Sequence, residues 1–254
     1  MTQPQSVEIP RTTFFAPLAI MKKEGVPINS IIDIGCADGT FALQCLEIFG
    51  RNMTLFNIDA QHEYEPSLKK IQEKVGGYYK ISAVSVYNGQ MRFGVAPHPY
   101  WVAAGGGEEH QYIECRTLDS LLGEIELPAP YFIKMDIEHG EFSALQGATI
   151  TLEQTAGVLL ETNIFGGNRS GTFLDIYNFL GARNFSLFDM TNFGYRQTDQ
   201  ATYQIYTTFL NKNYEFRNKQ GITGSQKAAD DLKGAMVRRR QELIAKNEQI
   251  LSRF

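Results

Sequence analysis

Short apolar runs and amphipathic stretches alternate along most of the chain. Runs rich in Val, Ile, Leu and Phe predict β-strands, and stretches whose apolar positions recur every three or four residues predict helices. The strands are expected at residues 31–34, 53–59, 78–86, 130–135, 157–162, 184–190 and 203–210. Helices are expected at residues 14–23, 41–49, 66–74, 142–152 and 172–180. Apolar strands that alternate with helices predict a parallel sheet covered by helices on both faces.

Two places depart from this alternation. After the third strand, residues 91–95 and 111–115 have the pattern of two strands in an inserted β-hairpin. Before the last strand, the loop at residues 191–201 is too short for a crossover helix, so that strand is expected to pair antiparallel with a neighbour. The predicted fold class is therefore α/β, with a Rossmann-like, mostly parallel sheet of seven strands, an antiparallel last strand and a hairpin insertion after strand three.

A glycine-containing turn is predicted between the first strand and the helix after it. Gly35 and Gly39 are four residues apart, and Asp33 ends the strand. Glycines here permit positive φ and let a ligand lie against bare backbone beside the N–H groups that open the helix. A dinucleotide fingerprint would need a third glycine. Asp33 and Asp38 disfavour a diphosphate, but they suit a ligand with an ammonium group and ribose hydroxyls, such as S-adenosylmethionine.

Acidic residues stand at the ends of four predicted strands. They are Asp33, Asp59, Asp136 and Glu161. Ligands of such sheets bind at the carboxyl ends of the strands, so this coincidence predicts an active site there. Asp59 is placed to accept hydrogen bonds from ribose hydroxyls, and the alternative is that its carboxylate caps the following turn.

Composition narrows the classes of function. The net charge of −4 gives no electrostatic reason to expect a nucleic-acid partner. The three cysteines show no Cys-x-x-Cys pairing, which favours a reducing compartment and disfavours a structural metal cluster. Because neither a signal-peptide pattern nor a long apolar run is present, we expect a cytoplasmic chain without a membrane span.

The chain is expected to contain one catalytic domain with extensions at both ends. Residues 1–29 form an N-terminal arm and helix, residues 30–212 the catalytic domain, and residues 213–254 a C-terminal helical tail. One stripe of the tail carries Leu232, Met236, Leu243, Ile250 and Phe254. This stripe predicts packing on the chain itself or on a second subunit, and the second alternative would give a homo-oligomer held through the tail.

Five motifs together resemble the FkbM family of S-adenosylmethionine-dependent methyltransferases. They are DIGCADG at 33–39, TLDSL at 117–121, KMDIEHGE at 134–141, LQGA at 145–148 and LET at 160–162. The resemblance covers about residues 30–210. This chain has His139 where the family motif has glycine, and it has Asp59-Ala60 where the family commonly has Glu-Pro. Both departures keep the acidic residues of the family motifs.

The strand ends and this resemblance together predict the site. The cofactor-binding candidates are Asp33, Gly35, Cys36, Asp38, Gly39, Asp59, Ala60, Ser82, Ala83 and Asp136. The catalytic candidates are Asp136, expected nearest the methyl group, and Glu138 or His139 as the base. The acceptor-binding candidates are Tyr100, Trp101, Glu161, Asn163 and Arg169. For the two aromatic residues the alternative is local packing, and no metal site is assigned.

The resemblance implies that S-adenosylmethionine is the cofactor and that the enzyme is a methyltransferase. The leading interpretation is O-methylation of a hydroxyl on a sugar, a glycan or a secondary metabolite. Two alternatives stay open at this point: N-methylation of a peptide or amide, and a non-catalytic module that binds an adenosine ligand. The spacing of Gly35 and Gly39 around Asp38 speaks against a dinucleotide oxidoreductase.

Overall fold

A computed structural model describes residues 9–94, 110–165, 171–219 and 226–251. The chain divides into two compact units, residues 1–214 and 215–254. The described strands are β1 (Ser30–Ile34), β2 (Thr54–Asp59), β3 (Tyr78–Ile81), β4 (Ala83–Val84), β5 (Gly89–Gly94), β6 (His110–Arg116), β7 (Tyr131–Met135), β8 (Thr155–Asn163), β9 (Phe185–Tyr195) and β10 (Thr202–Asn211).

The described helices follow the predicted order. They are α1 (Ala16–Lys23), α2 (Thr40–Phe49), α3 (Glu65–Val75), α4 (Leu118–Leu122), α5 (Glu141–Gln146), α6 (Thr149–Glu153), α7 (Phe173–Gly181) and α8 (Gln226–Leu251). Short 3-10 helices span His62–Tyr64, Lys212–Tyr214 and Arg217–Lys219. Helix α8 belongs to the second unit.

The first unit is built on a seven-stranded sheet with the strand order β3-β2-β1-β7-β8-β10-β9. Strand β10 runs antiparallel to both of its neighbours, and the remaining pairs are parallel. A second sheet has the order β4-β6-β5, in which β5 and β6 form the antiparallel inserted hairpin. The predicted fold class is confirmed.

Both faces of the central strands are covered. Every residue of β1 and β7 is buried. Side chains alternate between the faces of a strand, so Ile32, Ile34, Ile133 and Met135 share one face, where they pack with residues of α4 to α7. Because a strand that is buried on both faces needs an apolar side chain at almost every position, the sequence shows continuous apolar runs rather than alternation.

The predicted third strand, residues 78–86, is two strands in the structure. Strand β3 pairs with β2, and the chain then leaves the main sheet at Ser82. The Ser82 hydroxyl donates to the backbone oxygens of Ala83, at 2.8 Å, and Glu114, at 3.2 Å. Strand β4 then pairs with β6 in the second sheet. The sequence gives no sign of this break, because it depends on contacts with the distant hairpin.

The predicted helix at residues 142–152 is two short helices, α5 and α6. A Cβ at Gly147 would lie 2.1 Å from the backbone oxygen of Ser85, so the chain passes too close to this loop for any other residue. The Asp119 carboxylate accepts the N–H groups of Ile150, at 3.0 Å, and Thr151, at 2.8 Å. This carboxylate caps the start of α6, which explains why a new helix begins there.

Both glycines of the turn after β1 have positive φ, as predicted, but protein atoms lie where their side chains would be. A Cβ at Gly35, whose φ is +71°, would lie 1.9 Å from the backbone oxygen of Asp136. A Cβ at Gly39, whose φ is +83°, would lie 2.5 Å from the side chain of Ile71. Both positions therefore need glycine for a reason that the sequence does not show, because the end of β7 and helix α3 approach the turn so closely.

Alanine at position 35 should therefore destabilise the fold much more than alanine at a glycine that also has positive φ but has no atoms near its Cβ position. We expect Gly35→Ala to lower the free energy of unfolding by about 3 kcal/mol or more, from backbone strain and displacement of the β7 end. Gly25 is the matched control, since its φ is +74° and no atom lies within 4 Å of its Cβ position. Gly25→Ala should cost about 1 kcal/mol. Equal losses in urea denaturation would contradict this account.

Candidate active site

A buried ion pair lies beneath the carboxyl ends of β1 and β7. Asp33 and Lys134 are partners in the register of these strands, and the Lys134 ammonium lies 3.1 Å from Oδ1 of Asp33. The ammonium also donates to the backbone oxygen of Gly35 at 2.8 Å and lies 3.6 Å from Oδ2 of Asp136. Burial raises the pKa of Asp33, against the effect of Lys134. Burial opposes the charge on Lys134, but the carboxylates of Asp33 and Asp136 outweigh it and raise the pKa of this ammonium.

Asp136 is the first residue after β7, and its partly buried carboxylate lies at the centre of the site. The Tyr206 hydroxyl, from β10, donates a hydrogen bond to Oδ2 of Asp136 at 2.8 Å. The main chain of Asp136 is fixed by its N–H, which donates to the Ile34 oxygen at 3.0 Å. Burial and the Asp136 charge raise the pKa of the Tyr206 hydroxyl, so tyrosine serves as a hydrogen-bond donor here.

Three further carboxyl groups surround Asp136. Burial, followed by the charges of Asp136, Glu138 and Glu141, raises the pKa of Glu161. Burial and Asp136 also raise the pKa of Glu138. Burial raises the pKa of Glu141 to about 7, although its Oε1 accepts the Ile137 N–H at 2.9 Å. Glu141 therefore fixes the turn after β7, and burial is the largest cause of the raised pKa in each of these three glutamates.

His139 and Asn163 lie in contact at the edge of the site. Nδ1 of His139 is 2.7 Å from Nδ2 of Asn163, which is the buried last residue of β8. His139 has a φ of +77°, and Glu138 before it has a φ of +52°. The turn after β7 therefore contains two successive left-handed residues that carry side chains, an unfavourable conformation for both.

Asp59 joins the end of β2 to the glycine turn. Its Oδ2 accepts the Ala37 N–H at 2.8 Å, and its Oδ1 accepts the Gln61 N–H at 2.9 Å. Burial raises the pKa of Asp59, while these backbone N–H groups lower it. Each carboxylate oxygen keeps further acceptor capacity after one hydrogen bond.

An open cleft lies between the loops that follow β1, β2 and β7 and strand β5 of the second sheet. It is lined by Gly35, Ala37, Asp59, Ala60, Gln61, Tyr64, Phe93, Asp136, Ile137 and Glu138. Five of the predicted site residues therefore meet at one place, on the carboxyl side of β1, β2 and β7. The same cleft combines carboxylates with apolar surface, which comes from Ala60, Phe93 and Ile137.

The other cofactor-binding candidates in the turn after β1 lie behind this lining. Asp33 and Cys36 are buried, and burial, followed by the charge of Asp33, raises the pKa of the Cys36 thiol. Asp38 accepts the Thr40 N–H at 3.0 Å at the start of α2. Gly39 is packed against α3. These contacts hold the turn that the cleft residues share.

The candidates at the end of the third strand are also buried. Ser82 donates its hydroxyl to backbone oxygens, and Ala83 packs with Ile113 and Cys115. Ala60 and Phe93 pack against this small cluster and also line the cleft. Ser82 and Ala83 therefore do not line the cleft themselves, and they are connected to it through the hydrophobic cluster of the second sheet. Among the acceptor-binding candidates, Tyr100, Trp101 and Arg169 lie outside the described residues.

The segment before α1 packs beside the Asp136 partners. The ring of Phe14 lies 5.0 Å from that of Tyr206, and the ring of Phe15 stacks on that of Phe41 at 5.4 Å. The Lys134 ammonium lies 5.7 Å from the centre of the Phe41 ring. The opening segment thus packs on Tyr206 and Phe41, which in turn contact Asp136 and Lys134.

A family model described as "Methyltransferase FkbM domain" matches residues 27–196. The chain belongs to the FkbM methyltransferase family. This membership confirms the predicted family and the predicted enzyme class, a methyltransferase that uses S-adenosylmethionine. No curated protein sequence matches this FkbM chain significantly.

Several solved methyltransferases are similar to this FkbM chain at low identity. Methyltransferase FkbM from Methylobacillus flagellatus KT has 19% identity and a TM-score of 0.49, over 79% of this chain and 48% of that chain. Magnesium protoporphyrin IX methyltransferase from Synechocystis PCC 6803, solved with its cofactor bound, has 12% identity and a TM-score of 0.42, over 77% of this chain and 76% of that chain. This chain therefore spans about half the length of the first protein.

Several site residues of this methyltransferase were not identified from its sequence. They are Gln61, Tyr64, Phe93, Lys134, Ile137 and Tyr206. Lys134 could have been found, because a lysine inside an apolar strand needs a charge partner and Asp33 ends a neighbouring strand. Tyr206 and Phe93 carry no such signal, since aromatic residues are common in strands. None of the described helices combines the length and apolar composition that a membrane span requires.

Glu141 should make the stability of this methyltransferase fall as pH rises. Its pKa is about 7 in the folded chain, and an unfolded glutamate has a pKa of about 4.3. The folded state therefore binds the proton more tightly, and this contribution is complete below about pH 4 and lost as pH rises to about 7. We expect Glu141→Gln to gain about 3 kcal/mol relative to wild type between pH 4.5 and 8, measured by urea denaturation. Glu153→Gln, on the exposed side of α6, is the control, and its difference in stability from wild type should not change with pH. A pH-independent difference for Glu141→Gln would contradict the assignment.

Proposed function

We propose that this chain is an S-adenosylmethionine-dependent O-methyltransferase that acts on a hydroxyl of a sugar, a glycan or a secondary metabolite. The observation that carries the proposal is the set of carboxylates in one cleft: Asp59, Asp136 and Glu138. Negative charge there suits the sulfonium and ammonium groups of the cofactor and disfavours a diphosphate. Carboxylates and an imidazole beside the same cleft also suit an acceptor that must lose a proton.

The lining residues fit the parts of this cofactor. We assign the ribose hydroxyls to Asp59, whose oxygens each accept one backbone N–H and can accept more. Ala60, Phe93 and Ile137 offer apolar surface for the adenine ring. Gly35 and Asp136 face the methionine end in this proposal. The candidates behind the lining, among them Asp33 and Asp38, are assigned to holding the turn.

The bound cofactor supplies an electrophilic methyl group. The chain must then align the acceptor oxygen with that methyl and remove the hydroxyl proton as the new bond forms. In this proposal, Asp136 is held beside the methyl by the Tyr206 hydroxyl. Glu161 and Asn163, at the end of β8, contact the acceptor, and Tyr100, Trp101 and Arg169 keep their proposed acceptor-binding role.

Domain organisation, assembly and location are proposals of the same kind. We assign the methyltransferase domain to residues 30–212, with an arm at 1–29 and a tail at 213–254. Helix α8 of the tail carries Leu232, Met236 and Leu243 at helical spacing, which supports a homo-oligomer formed through this helix. The three cysteines are free and buried, which supports a reducing, cytoplasmic location.

Asp59 gives a direct test of cofactor binding. Asp59→Asn keeps the shape of the side chain but removes its charge and one acceptor oxygen, so S-adenosylhomocysteine should bind roughly tenfold more weakly by calorimetry. Asp199→Asn, in the loop between β9 and β10, is the control and should bind normally. Equal affinity in both variants would remove Asp59 from the site, and tighter binding of NADH than of S-adenosylhomocysteine would exclude the methyltransferase proposal.

Asp136 tests the catalytic assignment with the full chain. The acceptor panel consists of methyl glycosides of hexoses, 6-deoxyhexoses and uronic acids, together with an amide-bearing peptide, and release of S-adenosylhomocysteine is measured. We expect turnover with a glycoside and a loss on the order of 10²-fold in the turnover of Asp136→Asn, a loss that saturating cofactor does not restore. Turnover with the peptide alone would favour N-methylation, and an unimpaired Asp136→Asn would place the chemistry elsewhere.

A further inference from the structure

A second cavity opens at the edge of the main sheet opposite the candidate active site. Its volume is about 630 Å³, within the roughly 300–1,000 Å³ that small-molecule sites occupy. It lies where β8 begins and β10 ends, whereas the cleft with Asp136 lies on the carboxyl side of the parallel strands. Because β8 is nine residues long, its two ends are roughly 27 Å apart. The cavity is therefore separate from the cleft in which the cofactor is proposed to bind.

The lining of this cavity combines hydrogen-bond donors with acceptors. Its polar and charged residues are Thr149, Glu153, Arg183, Asn184, Asn211 and Asn213. Among the described residues that line it, only Leu152 and Ala182 are apolar. The charges of Arg183 and Glu153 are opposite, so this lining has no net charge. Such a surface suits a polar ligand that carries no charge of its own.

Three asparagines form a network along one wall of the cavity. The buried Asn211 donates its Nδ2 to the Thr155 backbone oxygen at 3.1 Å, and its Oδ1 accepts the Asn213 N–H at 3.0 Å. A backbone N–H only donates and a backbone oxygen only accepts, so these two bonds fix the orientation of the Asn211 amide. Nδ2 of Asn184 then donates to Oδ1 of Asn213 at 3.0 Å and to Oδ1 of Asn211 at 3.4 Å.

This network leaves one acceptor and one donor on adjoining amides. Asn184 uses its NH₂ group and Asn213 uses its oxygen, so within the described residues Oδ1 of Asn184 and Nδ2 of Asn213 keep their capacity to bind a ligand. The backbone of Asn184 is also held, because its oxygen accepts the Lys212 N–H at 2.8 Å. Groups that are already ordered lose less entropy when they bind.

Arg183 adds a fixed set of donors beside these amides. Its guanidinium carbon lies 3.5 Å from the centre of the Phe179 ring, and its Nη1 donates to the Phe179 backbone oxygen at 3.2 Å. A guanidinium carries five N–H donors in a planar fork. This one bond therefore orients the fork and leaves further donors for a ligand.

We propose that this cavity is a second, non-catalytic binding site and that its ligand is a neutral carbohydrate. The acceptor of Asn184 and the donor of Asn213 match two neighbouring sugar hydroxyls, one of which donates while the other accepts. Arg183 donates to a further hydroxyl, and Leu152 offers apolar surface to the C–H groups of the ring. A saccharide bound here leaves the cofactor cleft open. The inference goes beyond the proposed methyl transfer and does not depend on it.

Other classes of ligand fit this lining less well. An anion would meet the Glu153 carboxylate and the carbonyl end of α7, which ends at Gly181 just before the cavity. A metal cation would find a single carboxylate in the described lining, with Arg183 beside it. An apolar molecule would leave the buried polar groups of the lining without partners, which costs free energy for each group. A sugar hydroxyl both donates and accepts, so it suits a mixed lining.

The first experiment measures binding by nuclear magnetic resonance on the full, ¹⁵N-labelled chain. The side-chain N–H signals of Asn184, Asn213 and Arg183 are assigned by their loss in Asn184→Gly, Asn213→Ser and Arg183→Met. The probes are methyl hexosides of gluco, galacto and manno configuration and a neutral hexose trisaccharide. We expect at least one of them to shift these signals saturably, with or without S-adenosylhomocysteine.

Three results of this experiment would overturn the proposal. The first is that no saccharide shifts the three assigned groups of signals. The second is that inorganic phosphate shifts them at lower concentration than any saccharide does, which would identify an anion site. The third is that only a short uncharged peptide with blocked ends shifts them, which would identify a peptide site.

Two substitutions should weaken saccharide binding and keep the fold. Asn184→Gly removes the amide at a φ of +67°, which glycine adopts freely. Arg183→Met keeps an unbranched side chain over Phe179 and removes the donors. In each variant we expect the saccharide to bind roughly tenfold more weakly or less, titrated on the signals that remain, with the melting temperature maintained. Asn192→Gly is the matched control, since Asn192 is exposed on β9, has a φ of +49° and lies outside the lining. Equal affinity in all three variants would contradict the assignment.

Cofactor binding separates this inference from the proposed function. Asn184→Gly and Arg183→Met should bind S-adenosylhomocysteine like the wild type, because the cavity and the cleft lie at opposite edges of the sheet. A chain that responds to a saccharide at these signals and does not bind S-adenosylhomocysteine contradicts the proposed function and supports the carbohydrate site. Normal binding of S-adenosylhomocysteine without any response to a saccharide overturns this inference alone.

Discussion

The buried pairing of Asp33 with Lys134 is the interaction on which the active-site edge depends. These residues face each other in neighbouring strands, and the ammonium also contacts the Gly35 oxygen and approaches Asp136. One cation thus connects the turn after β1 with the turn after β7. A buried charge that loses its partner is strongly destabilising, so neither strand end can shift without the other. The close approach of Gly35 to Asp136 follows from this constraint.

The same edge carries more negative than positive charge. Besides Asp33 and Asp59, three partly or fully buried acids, Glu138, Glu141 and Glu161, have raised pKa values, and burial is the largest cause for each of them. A cationic ligand would relieve this excess, since it favours the charged form of nearby carboxylates. The fully buried strands beneath supply the packing that offsets the cost. The excess of negative charge on the loops is therefore tolerated because the apolar packing of the strands stabilises the fold that carries it.

The sequence predicted what local patterns determine. The alternation of strands and helices gave the parallel sheet, and the short loop at 191–201 gave the antiparallel last strand. Acids at strand ends led to the cleft that Asp59 and Asp136 share. The breaks at Ser82 and Gly147 were missed because they arise from atoms of distant segments. Tyr206 was missed for the same reason, since it meets Asp136 across 70 residues of chain.

The strained turn after β7 is the point where local preference and site geometry disagree. Propensity alone would favour glycine at position 139, because a left-handed backbone suits it. The rest of the turn is over-determined: Asp136 is fixed through Ile34, Ile137 through Glu141, and His139 through Asn163. Such fixed neighbours allow a side chain to persist at a disfavoured φ, at a cost of about 1–3 kcal/mol. The turn therefore gives up stability to keep an oriented imidazole, and a sequence that violates a local rule at a strand end is where functional residues are expected.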